Sequence, residues 1–315
     1  MKIRIILILM AAFFCVIFPS CSMNKMATNM VADMFAGEGS ADVFTSDPDP
    51  KLVGDALPFA IKLYETLLSQ NPRHEGLMLT TGSLFIMYAN AFVQGPAEML
   101  SVHDWEEREL SLNRAKQLYI RGYNILNDAL EIKYPGFSRA SADNGTLQSI
   151  LRGCTKADAG LLYWAVAGGL SAYSIDLLDF ELSSHLPEWK AMIDRAYELD
   201  PGYNGAAIDE FYIVFYASLP ETMGGDMERA QYHFNRALER TNGNSAGAYV
   251  TYAHLVCVPA EDHDTFQDCL EKALAIDPDK DTSSRLVNVI NQQKARWLLD
   301  NAWTFFYFLP FPDEY

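Results

Sequence analysis

The chain has 315 residues, of which 41 are acidic and 24 are basic, and its formal net charge is −17. This acidic excess argues against nucleic-acid binding, because a phosphate backbone requires Lys and Arg to neutralise it. Half of the residues are hydrophobic, and the length suits a solenoid or one large helical domain better than two unrelated domains.

The N-terminus has the three-part layout of a secretory signal peptide. Lys2 and Arg4 precede an unbroken apolar run over residues 5–18, which is shorter than the roughly 20 residues that a spanning helix needs. Ser20, a small residue, then precedes Cys21. We expect cleavage before Cys21 and lipidation of this cysteine, as in a bacterial lipoprotein. The alternative is an ordinary signal peptide with an incidental cysteine.

A linker is expected between this anchor and the folded body. Residues 36–50 are rich in Gly, Ser, Asp and Pro and have no sustained apolar period, which is typical of a flexible connection. Ser22, rather than Asp, follows the cysteine, and by the custom of lipoprotein signals this favours the outer membrane, with the body in the periplasm. The predicted organisation is a signal peptide (1–20), a lipidated N-terminus with flexible linker (21–50) and a helical domain (51–315).

The remaining chain has helical periodicity almost throughout. Apolar residues at helical spacing follow Asp55 and end at Asn71, where Pro72 stops the helix. Residues 83–93 are apolar on every side, which predicts a helix buried in the body. A further amphipathic helix is predicted over residues 107–131, and residues 133–145 are expected to form a long loop between two halves.

Three helix ends in the second half are built alike. Ala196, Ala237 and Ala273 occupy equivalent closing turns, 41 and 36 residues apart, and each helix is followed by a second one, at 205–217, 245–257 and 284–299. Tetratricopeptide units repeat about every 34 residues. We therefore predict an all-α fold of tetratricopeptide-like repeats, in which degenerate helix-turn-helix pairs stack as a compact solenoid.

Motifs for catalysis and metal binding are missing from the sequence. The six histidines form no HExxH pair, and there is no GxSxG elbow, phosphate loop or dinucleotide fingerprint. Asp209 and Glu210 are adjacent, so they point to different sides of a helix and are expected on a solvated face. We expect no enzymatic activity, no metal and no cofactor.

Cysteine usage excludes a disulfide-built fold. Beyond Cys21 the mature chain keeps Cys154, Cys257 and Cys269, with no CxxC pair. At most one disulfide can form among these three.

Aromatic residues on two predicted helices offer material for a binding pocket. Such side chains suit a pocket for an apolar ligand that also needs a few hydrogen bonds, although core packing explains the same pattern. Small residues beside the first group (Gly168, Gly169 and Ala172) leave room for a cavity, and a lysine at the helix start could meet a carboxylate. The candidate ligand-binding residues are Lys156, Tyr163, Trp164, Phe211, Tyr212 and Phe215.

One face of the last predicted helix is polar. Arg285, Asn288, Gln292 and Arg296 recur at spacings of three or four. This face serves a partner or remains in water.

Four segments together resemble the T-component family of TRAP transporters. They are "AFVQGPAEM" (91–99), "ADNGTLQSILRGCTKADAGLLYWAVAGG" (142–169), "ELDPGYNGAAIDEFY" (198–212) and "ALAIDPDKDTSSRLVNVINQQKARWLL" (273–299). The resemblance covers about residues 50–305, in the family's order. It implies a periplasmic lipoprotein with a tetratricopeptide-like fold, a homotrimer that associates with the substrate-binding P subunit of the transporter, and a cavity for a small, hydrophobic ligand.

Two functions from different classes remain open. One is an accessory component that docks a substrate-binding subunit and binds or conducts a ligand. The other is a general periplasmic repeat scaffold for envelope assembly, without a ligand.

Overall fold

The computed structural model describes residues 33–35, 42–140, 144–307 and 309. Within these residues the protein consists of 15 α-helices, joined by turns and short 3₁₀ and π segments, and has no β-strand. The predicted all-α class is confirmed. The predicted signal peptide (1–20) and the lipidation residue Cys21 lie outside the described residues.

Eight of these α-helices lie before residue 176 and seven lie after it. The first eight are α1 (Asp42–Thr45), α2 (Pro50–Gln70), α3 (Glu75–Ala89), α4 (Gly95–Glu98), α5 (Trp105–Lys133), α6 (Phe137–Ala140), α7 (Asn144–Gly153) and α8 (Ala159–Ile175). The other seven are α9 (Phe180–Ser184), α10 (Leu186–Leu199), α11 (Ala207–Ser218), α12 (Met227–Thr241), α13 (Ala246–Tyr252), α14 (His263–Ala275) and α15 (Arg285–Asp300). Two π-helices, π1 (Asn90–Gln94) and π2 (Ala253–Cys257), continue α3 and α13.

The N-terminus of α2 is fixed by local capping interactions. The Asp49 carboxylate accepts hydrogen bonds from the backbone N–H groups of Lys51 and Leu52, and Pro50 occupies the first turn of α2, where a missing N–H costs nothing. The helix ends at Asn71, as predicted. Upstream, α1 lies within the range predicted as linker and packs against α15.

Helix α3 is apolar around its circumference because it packs against α2, α5 and α8. The prediction of a buried helix here is confirmed, with Leu84, Phe85 and Ile86 at most 3% exposed. Among the described residues, Glu75–Glu98 is also the one stretch long and apolar enough to cross a membrane. Half of its most apolar 18 residues are buried inside the fold, and the core helix of a globular protein can be equally long and apolar.

The segment predicted as a long loop contains the short helix α6. The Glu131 carboxylate accepts hydrogen bonds from the N–H groups of Gly136 and Ser138, and Gly136 has a φ of 94°, in the left-handed region that glycine adopts without strain. These contacts turn the chain after α5, so Phe137 and Ala140 reach the core and are at most 1% exposed. The prediction of a long loop over residues 133–145 is therefore wrong for residues 137–140 and also for 144–145, where α7 begins.

The three repeated alanines are buried in their helices. Ala196, Ala237 and Ala273 each have no exposed surface, and each is followed by the helix expected from the sequence. Consecutive helices from α11 to α15 pack on one another, and α13 also contacts both α11 and α15. The three cysteines of the body, Cys154, Cys257 and Cys269, are buried free thiols.

Candidate functional site

The aromatic pair of α8 lies on a partly exposed face of this helix. The Trp164 indole N–H donates a hydrogen bond to the Tyr203 hydroxyl, with 3.1 Å between Nε1 and the oxygen. The Tyr163 ring packs at 5.2 Å from Trp164 and 5.4 Å from Tyr203. Burial, together with the charges of Tyr203 and Glu210, raises the pKa of the Tyr163 hydroxyl. This group therefore stays protonated and can donate a hydrogen bond at neutral pH.

The small residues of α8 do not leave room for a cavity, contrary to the expectation from the sequence. A Cβ on Gly168 would lie 2.7 Å from Ile86 Cδ1, and a Cβ on Gly169 would lie 2.4 Å from Trp189 Cζ2. Ala172 is fully buried. This face of α8 is the close contact with α3 and α10, because only small residues let the helices approach to this distance.

Lys156 lies at the start of the α8 segment, in a 3₁₀ turn. Its side chain is 74% exposed and its ammonium group is 3.4 Å from Asp200 Oδ2. The two charges are opposite and both meet solvent, so this pair contributes little to stability.

The aromatic residues of α11 divide between the surface and the core. Phe211 is partly exposed, whereas Tyr212 and Phe215 are 3% and 5% exposed. The Tyr212 hydroxyl donates to Asp194 Oδ1 over 2.6 Å, and its ring stacks on His233 at 4.4 Å between centroids. Tyr212 and Phe215 therefore belong to the core that lies behind the partly exposed Phe211.

The adjacent acids Asp209 and Glu210 do point to different sides of α11, but the predicted solvated face is wrong. Asp209 has no exposed surface, and its carboxylate accepts from Arg240 Nε at 2.6 Å and pairs with His233 Nδ1 at 2.7 Å. An ionised carboxylate is stable in the interior only when it is paired and hydrogen-bonded in this way.

Glu210 faces the opposite direction, towards α13 and α15. Its Oε1 accepts a hydrogen bond from the Ser245 hydroxyl, and its Oε2 would lie 2.8 Å from a Cβ on Gly247. The same hypothetical Cβ would lie 3.4 Å from Asn291 Nδ2. Burial and the neighbouring charge of Asp209 raise the pKa of Glu210. The charge of Glu210 also contributes to the raised pKa of the Tyr163 hydroxyl.

A second polar group, which sequence reasoning missed, joins the two halves of the fold. Lys294 Nζ donates to Glu98 Oε2 at 2.9 Å, and Gln94 Nε2 donates to Glu98 Oε1 at 2.7 Å. The Tyr119 hydroxyl donates to Gln94 Oε1 at 2.6 Å. His254 lies close enough for both charges to act on its imidazole. We call Gln94, Glu98, Tyr119, His254 and Lys294 the polar junction.

Burial is the largest single influence on the pKa values of Glu98 and His254, but it sets the direction of the shift only for His254. It raises the pKa of Glu98, but the charge and hydrogen bonds of Lys294 and Gln94 outweigh this effect and hold the pKa below its usual value. Burial and the positive charge of Lys294 lower the pKa of His254 to about 4, so the imidazole is neutral at physiological pH. The Glu98 and Lys294 side chains retain 29% and 26% exposure, so water still reaches the pair.

The polar face of α15 forms hydrogen bonds with neighbouring segments of the chain. The sequence had suggested either a partner surface or a solvated face. Asn288 is 3% exposed and its Oδ1 accepts from the Ala246 N–H at 2.9 Å. Gln292 Nε2 donates to the Ile276 carbonyl at 2.7 Å, and Arg285 Nη1 donates to the Ser46 carbonyl at 2.9 Å. These side chains satisfy backbone groups of neighbouring segments. Arg296 remains exposed.

Within the described part of the chain, His, Cys, Asp and Glu side chains form no cluster of three or more that could hold a metal ion. The geometry is instead that of a helical protein with an aromatic surface and an internal ion pair that water can reach.

Comparisons with known proteins agree with the resemblance seen in the sequence. Residues 46–306 match the TRAP transporter T-component family. An uncharacterized protein of Treponema pallidum (strain Nichols) is 36% identical over 306 residues, which cover 93% of this chain and 95% of that protein. The chain therefore belongs to the TRAP transporter T-component family. Membership implies an accessory role in a TRAP transporter and a membrane-associated location in the bacterial envelope.

Proposed function

We propose that the protein is a periplasmic lipoprotein that docks the substrate-binding P subunit of a TRAP transporter and binds or conducts a small, partly hydrophobic ligand. The observation that carries the ligand part is the aromatic surface of Tyr163, Trp164 and Tyr203, which includes the Trp164–Tyr203 hydrogen bond and is not fully buried. Family membership supports the transporter part.

The proposed ligand wall follows the expectation from the sequence, with a division of roles. Tyr163, Trp164 and Phe211 are partly exposed and would contact the ligand. Tyr212 and Phe215 are buried and would hold Phe211 in place from behind. Lys156 lies at the outer edge of α8, where its exposed ammonium group could meet a ligand carboxylate after leaving Asp200.

The architecture proposed for this function is a compact tetratricopeptide-like solenoid. Three observations support it: the repeated buried alanines, the helix that follows each of them, and the contacts of α13 with both α11 and α15. Stacked helix pairs of this kind share a continuous core and offer extended surfaces to partners. The outer helical surface would dock the P subunit, and the chain would act as a homotrimer.

The anchor proposed is the lipidated Cys21, with residues 21–50 as the tether and 51–315 as the helical domain. Several acyl chains on one cysteine hold a protein to a bilayer firmly, because each buried CH₂ contributes about 0.8 kcal/mol. Such an anchor would fix the docking surface beside a membrane, for which we favour the outer membrane.

Affinity purification after chemical cross-linking in the native envelope tests this proposal. We expect a substrate-binding subunit of a TRAP transporter among the cross-linked partners. The competing function, a scaffold for envelope assembly that binds no ligand, predicts assembly factors in its place. Recovery of assembly factors without any substrate-binding subunit would decide in favour of the scaffold.

A further inference from the structure

Large apolar side chains meet solvent at one end of the packed helices α5 and α8. Trp105 begins α5 and is 59% exposed. The turn that follows α8 carries Leu177, Leu178 and Phe180, which are 61%, 79% and 84% exposed. Single exposed apolar residues are common on protein surfaces, whereas a group of them marks an interaction site.

The two parts of this group face each other on one side of α5. Lys116 Nζ donates to Asp176 Oδ2 at 2.7 Å and to Asp179 Oδ2 at 2.8 Å, so its side of α5 faces the turn after α8. Trp105 lies about three helical turns before Lys116, and the partly exposed Leu112 lies about one turn before it, so both leave α5 on this side. We call this group the apolar shelf, and its members are Trp105, Leu112, Leu177, Leu178 and Phe180.

The first turns of α5 project from the body of the protein. Every residue from 101 to 110 is exposed, and the first buried residue of α5 is Ala115. Since a helix rises about 1.5 Å per residue, about 15 Å of α5 extends beyond its packed part. Helical turns gain most of their stability in proteins by packing an apolar face, which these turns do not do. The stability of the isolated fold therefore does not explain Trp105.

The turn of the apolar shelf is ordered by its own hydrogen bonds. The Asp179 carboxylate accepts from the N–H groups of Glu181 and Leu182 at 3.1 and 3.0 Å and so caps α9. Lys116, whose side chain is 12% exposed, holds Asp179 and Asp176 together. A surface that is already ordered loses little conformational entropy on binding, and this favours affinity.

The border of the apolar shelf is acidic. The projecting part of α5 includes "DWEERE" (104–109), with four acids against one arginine, and Glu181 is exposed on α9. Asp176 and Asp179 share the cation Lys116, so negative charge is in excess there as well. Such a border repels an anionic bilayer surface and also a second copy of this chain, whose net charge is −17. It attracts a surface that carries Lys and Arg.

We propose that the apolar shelf is the docking surface for a folded protein partner that presents an apolar pocket bordered by Lys and Arg. This inference rests on the proposed function, under which the partner is the substrate-binding subunit of the transporter, and it assigns the contact to one end of the molecule. Trp105 and Phe180 are the anchors, because large aromatic side chains that enter a pocket of the partner dominate the energetics of an interface.

Isothermal titration calorimetry of the full mature protein with the purified substrate-binding subunit tests this inference. Trp105→Ser and Phe180→Ser are each expected to weaken binding at least about tenfold, which is the usual effect of removing an anchor. Leu110→Ser is the matched control, because Leu110 is 73% exposed on the same projecting turns but lies about 140° around the helix axis from Trp105. All three side chains are exposed, so the melting temperatures should stay unchanged.

The acidic border is tested by charge reversal. Glu181→Lys is expected to weaken binding of the substrate-binding subunit and to reduce the dependence of this binding on salt, because salt screens the attraction between exposed opposite charges. Tighter binding by Glu181→Lys would contradict a partner surface rich in Lys and Arg and would overturn the proposal.

The failure of this inference is distinguishable from the failure of the proposed function. Unchanged binding by Trp105→Ser and Phe180→Ser would exclude the apolar shelf and leave the accessory role intact. Absence of binding by the unaltered protein would contradict the accessory role and, with it, the partner named here.

Two further measurements test the other occupants of the shelf. Native mass spectrometry reports whether Trp105→Ser and Phe180→Ser change the number of copies in the oligomer, and flotation reports their binding to vesicles of anionic phospholipid. We expect no change in either. Loss of the oligomer would assign the shelf to a second copy, loss of vesicle binding would assign it to a membrane, and either result would overturn the proposal.

Discussion

Lys294 donates a hydrogen bond to Glu98 over 2.9 Å and so links the last long helix of the protein to the segment that follows π1. The two residues are 196 positions apart in the chain. Neither side chain is fully buried, and the charge and hydrogen bonds of Lys294 and Gln94 outweigh burial and hold the pKa of Glu98 below its usual value. The two residues form a long-range ion pair between the two halves of the fold.

Lys294→Met is expected to destabilise the protein at neutral pH by about 1–3 kcal/mol, since it leaves the Glu98 carboxylate without its cation. The pKa of Glu98 is lowered in the folded state, so the pair stabilises the fold above the ordinary value of 4.5, and this contribution disappears as the pH falls through the lowered pKa. Chemical denaturation at several pH values between 3 and 7 measures the difference. A gap between the two proteins that does not narrow at acidic pH would contradict the assigned role.

Glu210→Gln is expected to stabilise the protein at neutral pH. The pKa of Glu210 is raised by burial and by Asp209, so ionisation opposes folding, and the favourable contribution of the neutral form is lost as the pH rises through the raised pKa. Glutamine mimics the neutral form and still accepts from Ser245. The melting temperature of the variant should therefore exceed that of the unaltered protein at pH 7 and match it near pH 4.

Glu228→Gln, at an exposed position on α12, is the control for this experiment and should show no such pH-dependent gain. A Glu210→Gln variant that is less stable than the unaltered protein at pH 7 would show that the charged carboxylate is required there.

Trp164→Ala is expected to cost less stability than the loss of a core tryptophan and to reduce ligand retention. Trp189 is 1% exposed, and Trp189→Ala should cost about 3–5 kcal/mol. Trp164 meets solvent or ligand on one side and so has fewer protein contacts to lose. Thermal melting of both variants and of Tyr163→Phe, with mass spectrometry of the extracted ligands, measures both effects. Destabilisation of Trp164→Ala as severe as that of Trp189→Ala, or identical ligands in all proteins, would leave these aromatics as ordinary core.

Cys21→Ala is expected to release the protein from the membrane into the soluble periplasmic fraction. Each acyl CH₂ contributes about 0.8 kcal/mol, so loss of the lipid removes the main attachment. Fractionation followed by a salt wash is the measurement, with Cys154→Ala as the control that leaves the anchor intact. Retention of Cys21→Ala in the washed membranes would place the anchor elsewhere.

Helix positions could be predicted from the sequence because periodicity and capping are local. The end of α2 at Asn71, the buried helix around Leu84 and the three packed alanines all follow from residue spacing. Spacing shows which side of a helix is apolar or small, but it does not name the neighbour. The glycines of α8 therefore suggested space, whereas Ile86 and Trp189 fill it.

Buried polar residues were the main source of error. From their spacing in the sequence, Asn288 and Gln292 are expected on a solvent-exposed face. In the structure they form hydrogen bonds with backbone groups of other segments. Asp209 is buried because Arg240 and His233 reach it from α12. The polar junction had no local signal at all, since Glu98 and Lys294 lie in unrelated motifs and meet only in the tertiary structure.

Native mass spectrometry of the protein, purified gently from its own cells, tests the central claim of an accessory transport role most directly. It reports subunit number, partner and retained small molecule in one measurement. We predict three copies of the chain in complex with a substrate-binding subunit, together with a bound small molecule. The chain found without a substrate-binding subunit and without any ligand, or in complex with envelope assembly factors alone, would contradict this role.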